Sequence, residues 1–593
     1  MSFRPCSRVA CPEESAATLT FDYADAMAVL GPLAVQREPH TFDLCARHAR
    51  LTAAPQGWQL VRLRTDGLAT EPADGPDAQP AAGPDAESRI RGMTDQTDAA
   101  ARLGAVVGPG EVCGTTAAPL TAQMVAALAA AFVDEVGAQS REVLLGHDRG
   151  EAGELVAAFT RGAEARGATV VDLGVSSTDE IRFGSGARNA PAARITASSL
   201  TMLRAGAQEI GHDHGLGAIR DRAVGYLAAG PTPVATPGRR REFDLLPDYA
   251  ARLRALVGLT GIRPLTVVVD AGRGAAAVTV PYVLGDDAGK AAGDPAGGAS
   301  VAADPAETPR PAALTIVPLF FDQGPDLPPH TIDPADPATL TDLRNAVIQH
   351  EADLGLGFDA DGGRCVVVDE TGCVVPPSAI GAVLARRAIA SARIEDPGRD
   401  VVVLHDLNVS RFVAETIEAA GAAAVPTSVG GSLMRAELRA TGAVFGFGYS
   451  GDYYFPQFWC ADSGLLAALH VLAELGFQPR PLSALATDAM PYAHSGEISM
   501  AVDDLPGVYA RVVDAYTGSA DFEEIDGLTV IGLTSVDEPF WWFNVRPSRT
   551  EPERAPQQQQ KQVRPELRLT VEAGTPEVMV RIRDEVLALI PAD

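Results

Sequence analysis

The chain has 593 residues, too many for one ordinary domain, and its length corresponds to four to five. Hydrophobic residues make up 46% and charged residues 21%, which excludes wholesale disorder, and the apolar runs are too short and interrupted to span a bilayer. Lys and Arg number 48 against 77 Asp and Glu, and the resulting charge of −29 opposes a broad nucleic-acid surface. The opening MSFRPCSRVACPEE lacks a basic-then-apolar leader pattern, so a cytoplasmic protein is expected. Seven cysteines, an odd and sparse number, argue against a disulfide framework there.

The first element is a small module over about 1–64. Cys6 and Cys11 form one close pair, Cys45 and His48 another, and they bracket a hairpin pattern, AATLTFDY then AMAVLGPL. Four soft ligands in two pairs suit tetrahedral Zn²⁺, which holds together units with little core. The alternative is reduced thiols with a surface histidine. The module resembles a small uncharacterised bacterial family carrying this Cys/Cys/Cys/His set, and the resemblance implies no activity. Seven Arg against six Asp and Glu within it favour docking of a protein partner over nucleic acid. Residues 65–100, rich in Pro, Ala and Asp, read as a flexible linker.

From about 101 the texture becomes α/β. REVLLGHD, GATVVDLG, ARITASS, LTVVVDAGRG, ADLGLGFDAD and DVVVLHD read as buried parallel strands ending in Gly- or Asp-rich turns, with helical stretches between them. The loose recurrence of these units suggests three similar domains, with sites at the carboxyl ends of strands. Residues 284–312 and 554–564 are polar surface insertions.

The strongest local signal follows EPFWWFNV: Arg546, Pro547, Ser548, Arg549, Thr550, Glu551 and Pro552. Two guanidiniums, two hydroxyls and exposed turn amides in so short a run make a phosphate cradle. Trp541 and Trp542 read as strand packing, and His330, His350 and His470 as structural or surface groups. The run resembles the last-domain phosphate loop, R-x-S-x-T-E-P, of the phosphohexomutases (phosphomannomutase/phosphoglucomutase). Three further segments fall in that family's order: ARITASS (193–199) resembles its serine loop, ADLGLGFDADGGR (352–364) its metal loop, and FGFGYSGDYYF (445–455) its sugar loop.

The resemblance covers about 101–593. It implies three mutase-like α/β domains at 101–258, 259–374 and 375–490, then a smaller α+β domain at 491–593, all preceded by the zinc-ribbon-like module. It implies interconversion of hexose 1- and 6-phosphates through a phosphoserine at Ser198, with hexose 1,6-bisphosphate as activator. Arg364 would assist catalysis. Ser450, Arg546, Ser548, Arg549 and Thr550 would bind the hexose phosphate, and Ser198, Asp359 and Asp361 would hold Mg²⁺. The acidic exterior is expected to surround a locally basic floor.

Against the family pattern, His-Asn-Pro after the serine is replaced by Ser199, Leu200 and Thr201, and a later lysine by Gln208. The third metal-loop aspartate is Gly363, the sugar-loop glutamate is Gly448, its histidine is Asp452, and Cys113 stands where an arginine is expected. Each lost donor or acid typically costs about 10² to 10⁴ in rate. Two functions follow: a mutase of impaired catalysis, with Asp452 or Ser199 handling protons, or an inactive sugar-phosphate-binding scaffold with a zinc docking module.

Overall fold

The computed structural model describes residues 15, 17–22, 27–32, 41–45, 59–62, 98–108, 112–115, 118–148, 152–211, 215–231, 234–285, 313–322, 327, 330, 332, 336–533, 539–548 and 566–590. The chain divides into two compact units, 1–85 and 86–593. In the first, strands β1 (Ala17–Asp22), β2 (Met27–Pro32), β3 (Thr41–Leu44) and β4 (Gln59–Arg62) form one sheet in the order β3-β1-β2-β4. The β1–β2 pair is the antiparallel hairpin expected from sequence, and β4 runs parallel to β2. Cys6, Cys11 and His48 lie outside the described residues, as do the polar insertions from 286 and from 554; Cys45 is buried. Helix over 98–104 starts before the expected end of the linker at 100, so that boundary moves back.

The second unit carries four sheets. The first contains β5 (Val112–Cys113), β6 (Glu142–His147), β7 (Thr169–Val175), β8 (Ala192–Ile195), β9 (Ser199–Arg204), β10 (Gln208–Glu209) and β11 (Arg239–Glu242). The second contains β12 (Leu265–Asp270), β13 (Leu314–Leu319), β14 (Leu354–Phe358), β15 (Cys365–Asp369) and β16 (Val374–Val375). The third contains β17 (Val402–Asp406), β18 (Ala423–Thr427), β19 (Phe445–Phe447), β20 (Tyr453–Phe455) and β21 (Ala461–Asp462). The last contains β22 (Ala493–Ala501), β23 (Ala520–Glu523), β24 (Leu528–Gly532), β25 (Trp541–Pro547) and β26 (Glu566–Ala573), all antiparallel in the order β22-β26-β25-β24-β23.

One plan recurs in the first three sheets. A central strand (β6, β12, β17) pairs in parallel with the strand after it on one side and with a third strand (β8, β14, β19) on the other. The third strand then turns back on itself as an antiparallel hairpin into β9, β15 or β20. The central strands read as continuous apolar runs because helices cover both faces, as parallel sheets require. The chain order reverses between central and third strands, and the crevice at such a reversal, outside the carboxyl ends, is where α/β sheets bind ligands.

Packing sets the last sheet apart. One continuous cluster of buried side chains runs through the first three sheets, including Leu144, Val171, Val267, Leu356, Val403 and Phe445. The last sheet keeps its own core around Val530, Phe543, Leu569 and Val586, and Trp541 joins that core as strand packing.

The first and third sheets are also tied by a ring of charges. Arg182, on the Thr178–Ala187 helix, reaches Asp462 at 2.8 Å and Glu209 at 2.7 Å; Arg435, on the Gly431–Thr441 helix, reaches the same two carboxylates, Asp462 at 2.8 Å. Both arginines and Asp462 are buried. Burial would raise the carboxyls of Asp462 and Glu209, but the two guanidiniums hold both below the usual range. Removing one partner of a buried pair leaves a charge uncompensated and costs about 3–5 kcal/mol. Asp462→Leu should therefore lose at least about 3 kcal/mol in denaturant unfolding, and the Arg182→Met/Asp462→Leu double variant should lose less than the sum of its singles.

Candidate functional site

The three sequence-singled loops occupy one equivalent position in their sheets: each is the hairpin turn that closes the third strand. Ser198 sits in the β8–β9 turn, Asp359 to Arg364 make the β14–β15 turn, and Gly448 to Asp452 make the β19–β20 turn.

At the first turn, the Thr196 hydroxyl accepts from the amides of Ser198 (3.2 Å) and Ser199 (2.9 Å), and the Ser198 carbonyl accepts from Gly114 at 2.7 Å. This fixes the backbone around a half-buried Ser198. Cys113 pairs directly with Ser199 across β5 and β9. Gln208 is exposed on the edge strand β10.

The second turn is built from two carboxylates, the buried Asp359 and the half-buried Asp361. Asp359 accepts from the Arg364 amide at 3.0 Å and from Arg364 Nε at 2.7 Å. Asp361 accepts from the Thr178 hydroxyl at 2.6 Å, and its carbonyl accepts from the Thr178 amide at 3.2 Å, which docks the turn on the first domain at the start of the 178–187 helix. Burial, with the neighbouring Asp361 charge, pushes the Asp359 carboxyl up to about 7. Burial acts on Asp361 too, but the Thr178 bond and the Arg194 and Arg182 guanidiniums hold it low. Gly362 has φ +76°, a left-handed conformation suited to glycine, whereas Gly363 does not.

At the third turn, the Ser450 hydroxyl donates to Asp452, whose carboxyl is raised by burial and by Asp462. Asp406, at the end of β17, accepts from the amides of Asn408 (2.9 Å) and Tyr449 (2.8 Å), and burial pushes it up to about 6. The glutamate slot at Gly448 faces this group: a Cβ built there would lie 2.9 Å from Asp406 Oδ2.

In the last sheet Arg546 is buried at the end of β25, pairs with Glu497 at 2.6 Å, and reaches Asn408 Oδ1 at 3.1 Å in the amide orientation that satisfies both groups. Arg568 reaches the other Glu497 oxygen at 3.2 Å and the Ser548 hydroxyl at 3.4 Å. Arg549 and Thr550 lie outside the described residues. The anion position beside Arg546 and Arg568 is thus already shared with a carboxylate.

Among the described residues, the part of the expected basic floor next to the turns is rich in acids. Around the three turns and the charge ring, Asp148, Asp179, Asp359, Asp361, Asp452, Asp462 and Glu209 outnumber Arg182, Arg194, Arg364 and Arg435. Sequence reasoning missed Arg182, Arg194, Glu209, Arg435, Asp462, Asp406, Asn408, Glu497 and Arg568. The one visible signal was Arg194, a charge inside the otherwise apolar strand AARI.

Both oxygens of Asp359 are hydrogen-bonded, Asp361 is bonded and faces guanidiniums, and Gly363 offers no donor. Among the described residues no three His, Cys, Asp or Glu side chains converge as a metal site. This donor set does not fit Mg²⁺, which demands near-octahedral oxygen ligation.

Family models for phosphoglucomutase/phosphomannomutase alpha/beta/alpha domains I, II and III match residues 107–208, 294–372 and 376–492, and a model for a protein of unknown function, DUF3499, matches 3–98. Phosphohexose mutases of Xanthomonas campestris pv. campestris (strain ATCC 33913) are 30% identical over 422 residues, 69% of this chain and 85% of that protein. A phosphomannomutase of Escherichia coli K12 is 28% identical over 426 residues, covering 70% and 86%. A solved phosphoglucomutase/phosphomannomutase family protein from Burkholderia thailandensis shares the fold with TM-score 0.65 at 24% identity, covering 82% of this chain and 96% of that one.

Two outcomes follow from the turns. Gly363→Asp has room, since a Cβ there meets Asp361 and Asp462 oxygens at 3.5–3.7 Å, whereas Gly448→Glu meets Asp406; thermal unfolding should show the larger loss for Gly448→Glu. Asp359 titrates above its ordinary 3.8 in the folded chain, so its contribution to stability is greatest below that value and falls as pH rises toward about 7. Asp359→Asn should accordingly raise the unfolding temperature relative to the parent more at pH 8 than at pH 5.

Proposed function

We propose that this chain, which belongs to the phosphohexomutase (phosphoglucomutase/phosphomannomutase) family, binds a hexose phosphate between its three hairpin turns and its last sheet, and exchanges phosphoryl at Ser198 about a hundredfold or more below an intact mutase. The observation that carries the reading is the placement of all three turns at equivalent switch points of three tied sheets. In transfer, the bond from phosphorus to Ser198 Oγ breaks, one from phosphorus to a sugar oxygen forms, and the hydroxyl proton leaves to a base. Asp452, raised by burial and oriented by Ser450, suits that base. Arg364 neutralises phosphoryl charge once it leaves Asp359, and Arg546, Ser548, Arg549 and Thr550 hold the non-reacting phosphate. No step is routed through a metal, because the donor set does not fit one.

The loss is largest at the sugar. Gly448 supplies no acceptor, and the nearby Asp406 carboxyl is already bonded to two amides, so epimers should be poorly discriminated. That observation, with Glu497 lying against Arg546, favours a second reading: a sugar-phosphate-binding shell without turnover. Incubating the full chain with glucose 1,6-bisphosphate separates them. A phosphoryl mass gain at Ser198, absent in Ser198→Ala, supports the first reading, and binding without mass gain supports the second. Coupled conversion of mannose 1-phosphate or glucose 1-phosphate in the ordinary range of about 1–10³ per second would overturn the impaired-site reading.

In the same proposal Cys6, Cys11, Cys45 and His48 hold one zinc, and the first unit docks a protein partner. Metal analysis should find about one zinc per chain, lost in Cys6→Ser. Phosphate binding by calorimetry should weaken about tenfold in Arg546→Ala, as for a charge-assisted bond, and tighten in Glu497→Gln.

A further inference from the structure

We propose that Arg194 is a built-in cation of the 359–364 corner and stands where a divalent metal would otherwise neutralise Asp361. The other three residues of β8, Ala192, Ala193 and Ile195, are fully buried and apolar, and Arg194 itself is only 6% exposed. A guanidinium so placed is costly unless paired and hydrogen-bonded. It is both: Nε donates to the Ser176 carbonyl at 3.1 Å, and Nη2 pairs with Asp148 at the end of β6. Its charge therefore sits across the carboxyl ends of β6 and β7, and the Ser176 carbonyl that it holds lies two residues before Thr178, whose hydroxyl holds Asp361 of the second sheet.

The surroundings of Asp361 complete the argument. Its carboxylate accepts from Thr178, the first residue of a ten-residue helix capped by Ser177, so the positive helix end adds to the guanidinium. Asp359 is closed from the other side by Arg364. Both carboxylates of the turn are thus met by protein donors, and a metal would have to enter against Arg194. The missing third carboxylate at Gly363 and the guanidinium at Arg194 act in the same direction: one removes a negative charge from the turn and the other sets a fixed positive charge near it. With the metal gone, phosphate brought to Ser198 would be met by fixed guanidiniums, whose charge does not depend on ionic supply.

The inference rests on the family reading only for identifying 359–364 as the turn where a cation is expected. Its test reads metal binding, so either can fail without the other. Full-length protein stripped by chelator is titrated with Mn²⁺, and free Mn²⁺ is followed by electron paramagnetic resonance. The parent is expected to show no site that Asp361→Asn removes, up to millimolar Mn²⁺. Arg194→Met, freeing Asp148 and Asp361, should gain one site at least about tenfold tighter, abolished by adding Asp361→Asn, while Arg194→Lys should gain none. A parent chain that binds one Mn²⁺ in an Asp361-dependent way overturns the proposal, even if Arg194→Met fails to fold. A folded Arg194→Met with no gained site also overturns it.

Discussion

The ring of Arg182, Asp462, Arg435 and Glu209 is the constraint on which the site depends. Its members come from two domains, and the Arg182–Asp462 pair joins residues 280 apart in the chain. Each guanidinium spans both carboxylates, so no member can leave without stranding a desolvated charge. The helix that carries Arg182 begins at Thr178, whose hydroxyl holds Asp361. One short helix therefore fixes the third domain through its middle and the second through its first residue. The convergence of the three turns follows from that helix.

Charge in this corner is managed internally. Where carboxylates crowd, one is left to take a proton, as Asp359 does near neutrality, and others are met by arginines from a different sheet. Two glycines sit where the family pattern places acids, but their surroundings differ. Gly363 is buried with Asp361 and Asp462 oxygens at ordinary contact distance from where a Cβ would stand, so a carboxylate there would fit sterically but face two others. Gly448 faces a carboxylate held by two amides, so the space an acid would need is already taken.

Much of this was legible in the sequence, and for a physical reason. Apolar runs such as LTVVVD and DVVVLH could only be strands buried on both faces, and polar, Gly-rich segments directly after such runs could only be turns at their carboxyl ends. Motif order then carried the family and the α/β class. Partners separated by hundreds of residues were not legible: nothing near Asp462 announces Arg182, and nothing near Gly448 announces Asp406. The acids beside the turns, where a basic floor was expected, were missed for the same cause. Counting loop arginines ignores carboxylates brought in from other domains. Arg194 was readable in principle, because a charged residue inside AARI demands a buried counter-charge, but which carboxylate supplies it is a matter of tertiary structure.

The division of the core has a mechanical consequence. The first three sheets share one continuous apolar cluster and the charge ring, whereas the last sheet has a separate core. The bonds described for the last sheet run to the third: Arg546 to Asn408, the Arg411 amide to Glu572 at 2.9 Å, and the Val429 amide to Asp526 at 3.0 Å. Ring contacts add to them, with Tyr449 stacked on His494 at 5.3 Å and Phe412 edge-on to Tyr492 at 6.3 Å, so the fourth domain is joined to the third by local contacts and not by a shared core. Separating the last sheet from the third would break these contacts but open neither apolar core, so the two cores are mechanically independent while the three turns stay fixed to one another.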